Sequence, residues 1–317
     1  MDKISWHIEP TSRCILECSM CDRTWFYEKF KKRLSSDIDI EHLINFLKGT
    51  SPNVLMCGNN GDPIYHRKFH NLCLELKKID TTISITTNGS GKKKEWWRKL
   101  CSILSKNDSI TFSIDGLNDT NHLYRKNANW NSIMDAINVV REKNIQTTWK
   151  FIVFKHNQHQ IHEAEKISKT LGINHFELIK SDRWWKKDLM PDEKYVDLSY
   201  KHQIEVTKGL DKDNIIEQKC MSVPESGVAD NRLYIDADGD FYPCCRTGLY
   251  AFRYKNIFSP KHKKYNIKDN TIEQIMGSPE VKHFFNLTKT YQSADNCCKI
   301  YCGVNKTITR KNQKNII

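Results

Sequence analysis

Short runs of β-branched and apolar residues alternate with stretches whose apolar positions recur every three to four residues, and the rhythm repeats about six times. The runs predict strands over Ile4–Glu9, Asn53–Cys57, Thr82–Thr87, Ser109–Asp115, Thr147–Phe154 and His175–Ile179. Between them, Phe69, Leu72, Cys73, Leu76 and Ile79 share one helical face. Ile161, Ala164, Ile167 and Leu171 share another, with Gly172 placed to end it. Strands alternating with helices predict βα units around a parallel sheet. Cys73 and Cys101 fall in such helical stretches and read as small buried hydrophobes.

The pattern changes after the sixth strand. From Ser181 to Gln218 the chain is charged, holds Trp184-Trp185 and Met190-Pro191-Asp192, and reads as a bridging helix or linker. The paired indoles suit either a roof over a substrate pocket or packing against a following domain. Beyond it, residues 233–244 alternate like a hairpin with Asp238-Gly239 at the turn. This acidic run is no EF-hand loop: counting Asp236 as the first position, the glycine falls fourth, where that loop needs it sixth.

Chemistry collects at the carboxyl ends of parallel strands, and the first four strands each end in something unusual. The first leads into Cys14, Cys18 and Cys21, spaced CxxxCxxC. An iron–sulfur cubane is normally closed by four thiolates, so a tight triplet leaves one iron open to a substrate or cofactor. A structural zinc site would prefer paired CxxC units or two histidines. The second strand runs into Gly58-Asn59-Asn60-Gly61-Asp62-Pro63, whose glycines allow close backbone approach to a ligand. The third ends at Asn88-Gly89, and the fourth at Ser113-Ile114-Asp115-Gly116. One such corner is an ordinary turn; their recurrence at successive strand ends is a site.

The triplet and these corners resemble the radical S-adenosylmethionine (radical SAM) superfamily, over roughly the first 180 residues. The resemblance implies a partial (β/α)6 barrel and a 4Fe–4S cluster on Cys14, Cys18 and Cys21 whose open iron chelates SAM. Gly58, Asn59, Asn60, Gly61 and Asp62 match the loop whose backbone holds the SAM amino group, with Asp62 where relatives often carry Glu. Asn88 lies at the adjoining strand end, Ser113 and Asp115 match the segment near the SAM ribose, and Arg125 matches an arginine that pairs with the SAM carboxylate. Met20 stands where many members have an aromatic residue, and Phe154-Lys155-His156-Asn157 lacks a glycine-rich adenine motif, so the adenine contacts stay unassigned.

Six of the twelve cysteines lie after the linker: Cys220, Cys244, Cys245, Cys297, Cys298 and Cys302. With the hairpin and its Gly-x4-Cys, they resemble the SPASM/twitch auxiliary-cluster domain in its shortened form. That implies one auxiliary 4Fe–4S cluster on Cys220, Cys244, Cys298 and Cys302, with Cys245 and Cys297 as adjacent alternatives within each doublet. Zinc on the same thiolates is the competing structural reading.

The organisation expected is an α/β chain: a partial radical SAM barrel over 1–182, a linker over 183–218, a small twitch-like β-hairpin and helix domain over 219–305, and a disordered basic tail over 306–317. Composition adds little. The 317 residues are 38% hydrophobic and carry a formal charge of +12, gathered at Lys29 to Arg33, Lys92 to Lys94, Lys261 to Lys264 and the tail. These clusters have no regular spacing and read as a solvated surface. The N-terminus has no apolar signal-like run and no stretch suits a membrane span, so a cytoplasmic protein with reduced thiols is expected.

The resemblance implies an enzyme that reductively cleaves SAM to a 5′-deoxyadenosyl radical, which takes hydrogen from a small-molecule or peptide substrate in an oxidoreductase-type reaction. It also implies an external flavodoxin- or ferredoxin-like electron donor. No peptide-binding domain stands before Cys14, which weighs against leader-dependent peptide modification. The charge keeps a nucleic-acid-modifying radical SAM enzyme as one rival, and a non-catalytic metal-binding module is another.

Overall fold

Every β-branched run becomes a strand, because alternate residues of most can be buried against helices while the ladder pairs the backbone. A computed structural model describes residues 5–50, 52–179, 181, 186–195, 215–218, 232–253, 264–288, 298 and 303–305. In order, β1 (Ser5–Ile8) leads to α1 (Asp22–Phe30) and α2 (Ile40–Leu47), β2 (Asn53–Met56) to α3 (Phe69–Lys78), and β3 (Thr82–Thr87) to α4 (Lys94–Ile103). β4 (Ser109–Ser113) leads to the one-turn α5 (Asn121–Tyr124) and α6 (Trp130–Glu142), β5 (Gln146–Ile152) to α7 (Ile161–Thr170), and β6 (His175–Ile179) follows.

These six strands lie parallel in the order β6-β5-β4-β3-β2-β1. This is the expected partial barrel. Trp6, Ile8, Val54, Met56, Ile83, Ile85, Ile110, Phe112, Trp149 and Phe151 form the buried strand side of the core, and Phe69, Leu72, Cys73 and Leu76 of α3 pack into it. Ala164 of α7 is buried there too, and Gly172 turns the chain out of that helix at φ +70.

Four strands end differently from the sequence expectation: β2 stops one residue short, at Met56, and at the mouths of the other three, side chains enter the hydrogen bonding. β1 stops at Ile8, and Glu9 accepts N–H bonds from Asn60 and Gly61. β4 stops at Ser113, and Asp115 Oδ1 accepts from Ile152 N at 2.7 Å. β5 covers Gln146–Ile152, and Phe154 N donates to Asn157 Oδ1 instead of to a neighbouring strand.

The C-terminal portion holds β7 (Ile215–Gln218), β8 (Arg232–Ile235), β9 (Phe241–Tyr242), α8 (Cys245–Arg253), α9 (Ile272–Gly277), α10 (Pro279–Leu287) and β10 (Gly303–Asn305). The predicted hairpin is β8–β9, with Ile235 opposite Phe241 and Gly239 at φ +82 in its turn. It does not stand apart from the barrel. β8 pairs in parallel with β1, from Ser5 opposite Arg232 to Ile8 opposite Ile235, and extends the sheet by two strands. The end of the stretch read as a linker is a strand, since β7 pairs antiparallel with β10. Trp184, Trp185, Cys220, Cys297, Cys302 and the tail 306–317 lie outside the described residues. Among the described residues, no helix is long and apolar enough to cross a membrane.

Candidate active site at the strand ends

The cysteine loop between β1 and α1 is tied down by its backbone. Cys21 occupies the N-cap of α1 and its N–H bonds the Cys18 carbonyl at 3.1 Å. Buried Leu16 and the Arg23 guanidinium, which donates to the Leu16 carbonyl, hold the middle. The Cys14 sulfur accepts from Leu16 N at 3.4 Å and from Asn88 Nδ2 at 3.6 Å. All three thiols are half-buried and free of disulfides.

Burial pushes the Cys18 thiol up to about 12, with Cys21 and Asp115 adding and Arg125 and Arg23 opposing. Burial also raises Cys14, with Asp62 adding to it. Such thiols ionise readily only beside a bound cation, which inverts the local preference. No three His, Cys, Asp or Glu side chains among the described residues converge as a single ion requires. Three free, half-buried thiols on one loop are the donor chemistry that an iron–sulfur cluster takes.

The glycine loop is built against its own chain. A Cβ on Gly58 would fall 2.1 Å from the Gly61 carbonyl oxygen, and one on Gly61 would fall 1.8 Å from that of Thr11. The glycines are required for this internal packing, whereas the sequence suggested closeness to a ligand. Asp62 is likewise a brace: its carboxylate accepts from Thr87 Oγ1, Asn88 N, Asn88 Nδ2 and Ile64 N, tying the loop to the end of β3. The Asn60 Oδ1 atom is buried without a hydrogen-bond partner among the described residues.

Burial lifts Asp62 to about 6 against the pull of those donors. Because this exceeds the ordinary value of about 4, its contribution to stability is complete below pH ~4 and is lost as pH rises through about 6. Asp62→Ala leaves several buried donors unpaired and is expected to cost about 3 kcal/mol. Urea unfolding of both proteins from pH 4 to 7 reads the cost and the slope together.

At the fourth strand end, Ser113 is half-buried, Asp115 is fully buried, and Asp115 Oδ2 lies 2.7 Å from Arg125 Nε. Together they form a buried ion pair. Arg125 is set by α5, its N–H bonding the Asn121 carbonyl, while Asn121 Oδ1 accepts from Asp115 N. Asn157 Nδ2 closes the corner on the Asp115 and Ile152 carbonyls. Beside it, Met20, Tyr124 and Phe154 make a separate apolar cluster against Cys18. Thus Cys14, Asp62 and Asn88 meet directly, and Asp115 and Arg125 face Cys18 electrostatically.

In the C-terminal portion, the Cys244 sulfur accepts from Thr247 N at 3.4 Å and lies 3.2 Å from Thr247 Oγ1. Cys298 is buried in the main core. Three residues beyond the sequence reading matter: Glu9, Tyr234 and Asn157. A charged residue where an apolar strand run gives out, Glu9 before Pro10, was the available signal for the first.

Residues 8–167 match the Radical SAM superfamily, and residues 227–303 match SPASM, an iron–sulfur cluster-binding domain. The chain belongs to the radical SAM superfamily and carries a C-terminal SPASM domain. Its cofactors are accordingly a SAM-binding 4Fe–4S cluster, SAM, and an auxiliary iron–sulfur cluster. Over 316 residues it is 22% identical to the tungsten-containing aldehyde ferredoxin oxidoreductase cofactor-modifying protein of Pyrococcus furiosus, covering 90% of this chain and 84% of the relative. Its fold is similar to that of native anSMEcpe with bound AdoMet, with TM-score 0.64, 15% identity, and 93% and 88% of the two chains covered. It is also similar to Streptococcus suis SuiB bound to S-adenosylmethionine, with TM-score 0.63, 16% identity, and 94% and 70% covered.

Proposed function

We propose that Cys14, Cys18 and Cys21 hold the SAM-binding cluster, that residues 58–62, Asn88, Ser113, Asp115 and Arg125 form the SAM cradle, and that Cys220, Cys244, Cys298 and Cys302 hold the auxiliary cluster. The observation that carries this reading is the convergence of the cysteine loop with the Asp62–Asn88 knot on one side and the Asp115–Arg125 pair on the other. Held by Cys14, Cys18 and Cys21, a reduced cluster would supply the electron for cleavage of SAM to methionine and a 5′-deoxyadenosyl radical. The protein's part is to bind, orient and exclude water. Arg125 keeps two Nη groups beyond the Nε turned to Asp115, a fork suited to a carboxylate. Asn60 Oδ1 offers a buried acceptor to an amino group.

The reaction proposed is hydrogen abstraction from an unactivated C–H bond of a peptide or small molecule, with one-electron supply from a flavodoxin- or ferredoxin-like donor. A peptide is the first class to try, because anSMEcpe and SuiB have both been captured with peptides, Cp18Cys and the precursor SuiA. Anaerobic protein with reductant and SAM should form 5′-deoxyadenosine; failure to do so overturns the reading. Metal content gives a separate result: about eight irons in wild type and about four in the Cys14→Ala, Cys18→Ala, Cys21→Ala variant. Zinc in place of the second set, measured by elemental analysis, would refute the auxiliary assignment.

A further inference from the structure

The C-terminal hairpin touches the glycine loop by two routes. Tyr234 of β8 is 1% exposed and its hydroxyl donates to Glu9 Oε2, while Glu9 Oε1 accepts from Asn60 N at 2.7 Å and Gly61 N at 2.8 Å. The Tyr234 ring also packs edge-on against His7, whose Nε2 lies 2.6 Å from the Cys57 carbonyl oxygen at the start of the same loop. By the second route, Asn59 Nδ2 donates to the Cys245 carbonyl at 3.1 Å.

Both routes end in one turn of α8. Cys245 follows Cys244, whose sulfur takes the Thr247 N–H. Gly248, one residue on, sits so close under Tyr234 that an added Cβ would lie 2.7 Å from its ring. The position of the Cys244 turn therefore sets both the carbonyl that Asn59 reaches and the seat of the ring that holds Glu9.

We propose that the auxiliary-site turn is a working part of the SAM site: Tyr234 through Glu9, and Cys245 through Asn59, hold residues 58–61 in their SAM-binding form, so that loading at Cys244 and binding of SAM favour each other. This rests on residues 58–61 being the SAM loop and Cys244 a cluster ligand. Ligation anchors the Cys244 sulfur and with it the turn; release lets the turn relax and removes the Asn59 contact. Tyr234 and Asn59 act here as positioning residues. Linkage makes the effect reciprocal.

The test uses full-length, anaerobically reconstituted protein and equilibrium dialysis with labelled SAM. Asn59→Ala, with iron content unchanged, and Cys244→Ser should each raise the SAM Kd about fivefold or more, as coupling of ordinary strength does. The double variant should be no weaker than the poorer single one, because both cut the same link. The reciprocal measurement needs no Cys244 variant. SAM should slow amide hydrogen exchange in the peptide spanning 244–250 about fivefold or more in wild type, and less in Asn59→Ala, which keeps only the Tyr234–Glu9 route. Exchange in that peptide indifferent to SAM in wild type, or fully additive Kd effects, would overturn the proposal while leaving the SAM-site reading intact. SAM binding undiminished in Cys18→Ala would overturn that reading, and the proposal with it.

Discussion

Cys18→Ala is expected to lose reductive SAM cleavage down to the level of a no-protein control, whereas Cys244→Ala should keep measurable uncoupled 5′-deoxyadenosine formation. The asymmetry follows from the two donor sets. The N-terminal triplet has no fourth cysteine nearby, so losing one of three thiolates removes the means of holding the cluster that SAM meets. Arg125 and Asp115 both act electrostatically on the Cys18 thiol, so it links the cysteine loop to the proposed carboxylate-binding corner. Cys244 belongs to the second set, joined to the proposed SAM loop through side-chain and carbonyl contacts. Chromatographic assay of 5′-deoxyadenosine with and without substrate decides it, and robust cleavage by Cys18→Ala would move the SAM site elsewhere.

Arg125→Met is expected to destabilise the protein by about 3–5 kcal/mol, the cost of leaving one member of a buried pair behind. Asp115 is wholly buried, and Arg125 is only 12% exposed. Burial raises the Asp115 carboxyl and Arg125 is the largest opposing influence. With the guanidinium gone, Asp115 must take a proton or sit charged against its surroundings. Asn121 and Asn157 keep the backbone of the corner in place, so the fold should survive with a lowered denaturation midpoint. Asp115→Asn in the Arg125→Met background should recover part of the stability and none of the SAM affinity. Recovery of both would assign Arg125 a purely structural role.

Much of the barrel was legible because its information is local. A strand's alternation and a helix's 3.6-residue period are written in neighbouring residues, so β3 and β6 match their predicted bounds and four of the five residues predicted for the α3 face are buried on it, with Ile79 at the C-cap. The cysteine triplet was legible for the same reason, since its three cysteines fall within one loop. The strand mouths were less so. Glu9, Asp115 and Phe154 continue their strand patterns in sequence, yet a side chain enters the hydrogen bonding at each: those of Glu9 and Asp115 reach another segment, and that of Asn157 turns back on Phe154 N.

By itself, then, the sequence determined the parallel βα order, the hairpin at 233–244 and the two groups of cysteines, each encoded by residues close together in the chain. Only the tertiary structure decided that β8 lies against β1, that Asp62 is a brace, and that the glycine loop is held from the C-terminal portion. Glu9 and Tyr234 are 225 residues apart, and Asn59 and Cys245 are 186 apart. No periodicity connects positions at such distances. Which polar groups become partners depends on which strands end up side by side, and burial then compels those groups to pair.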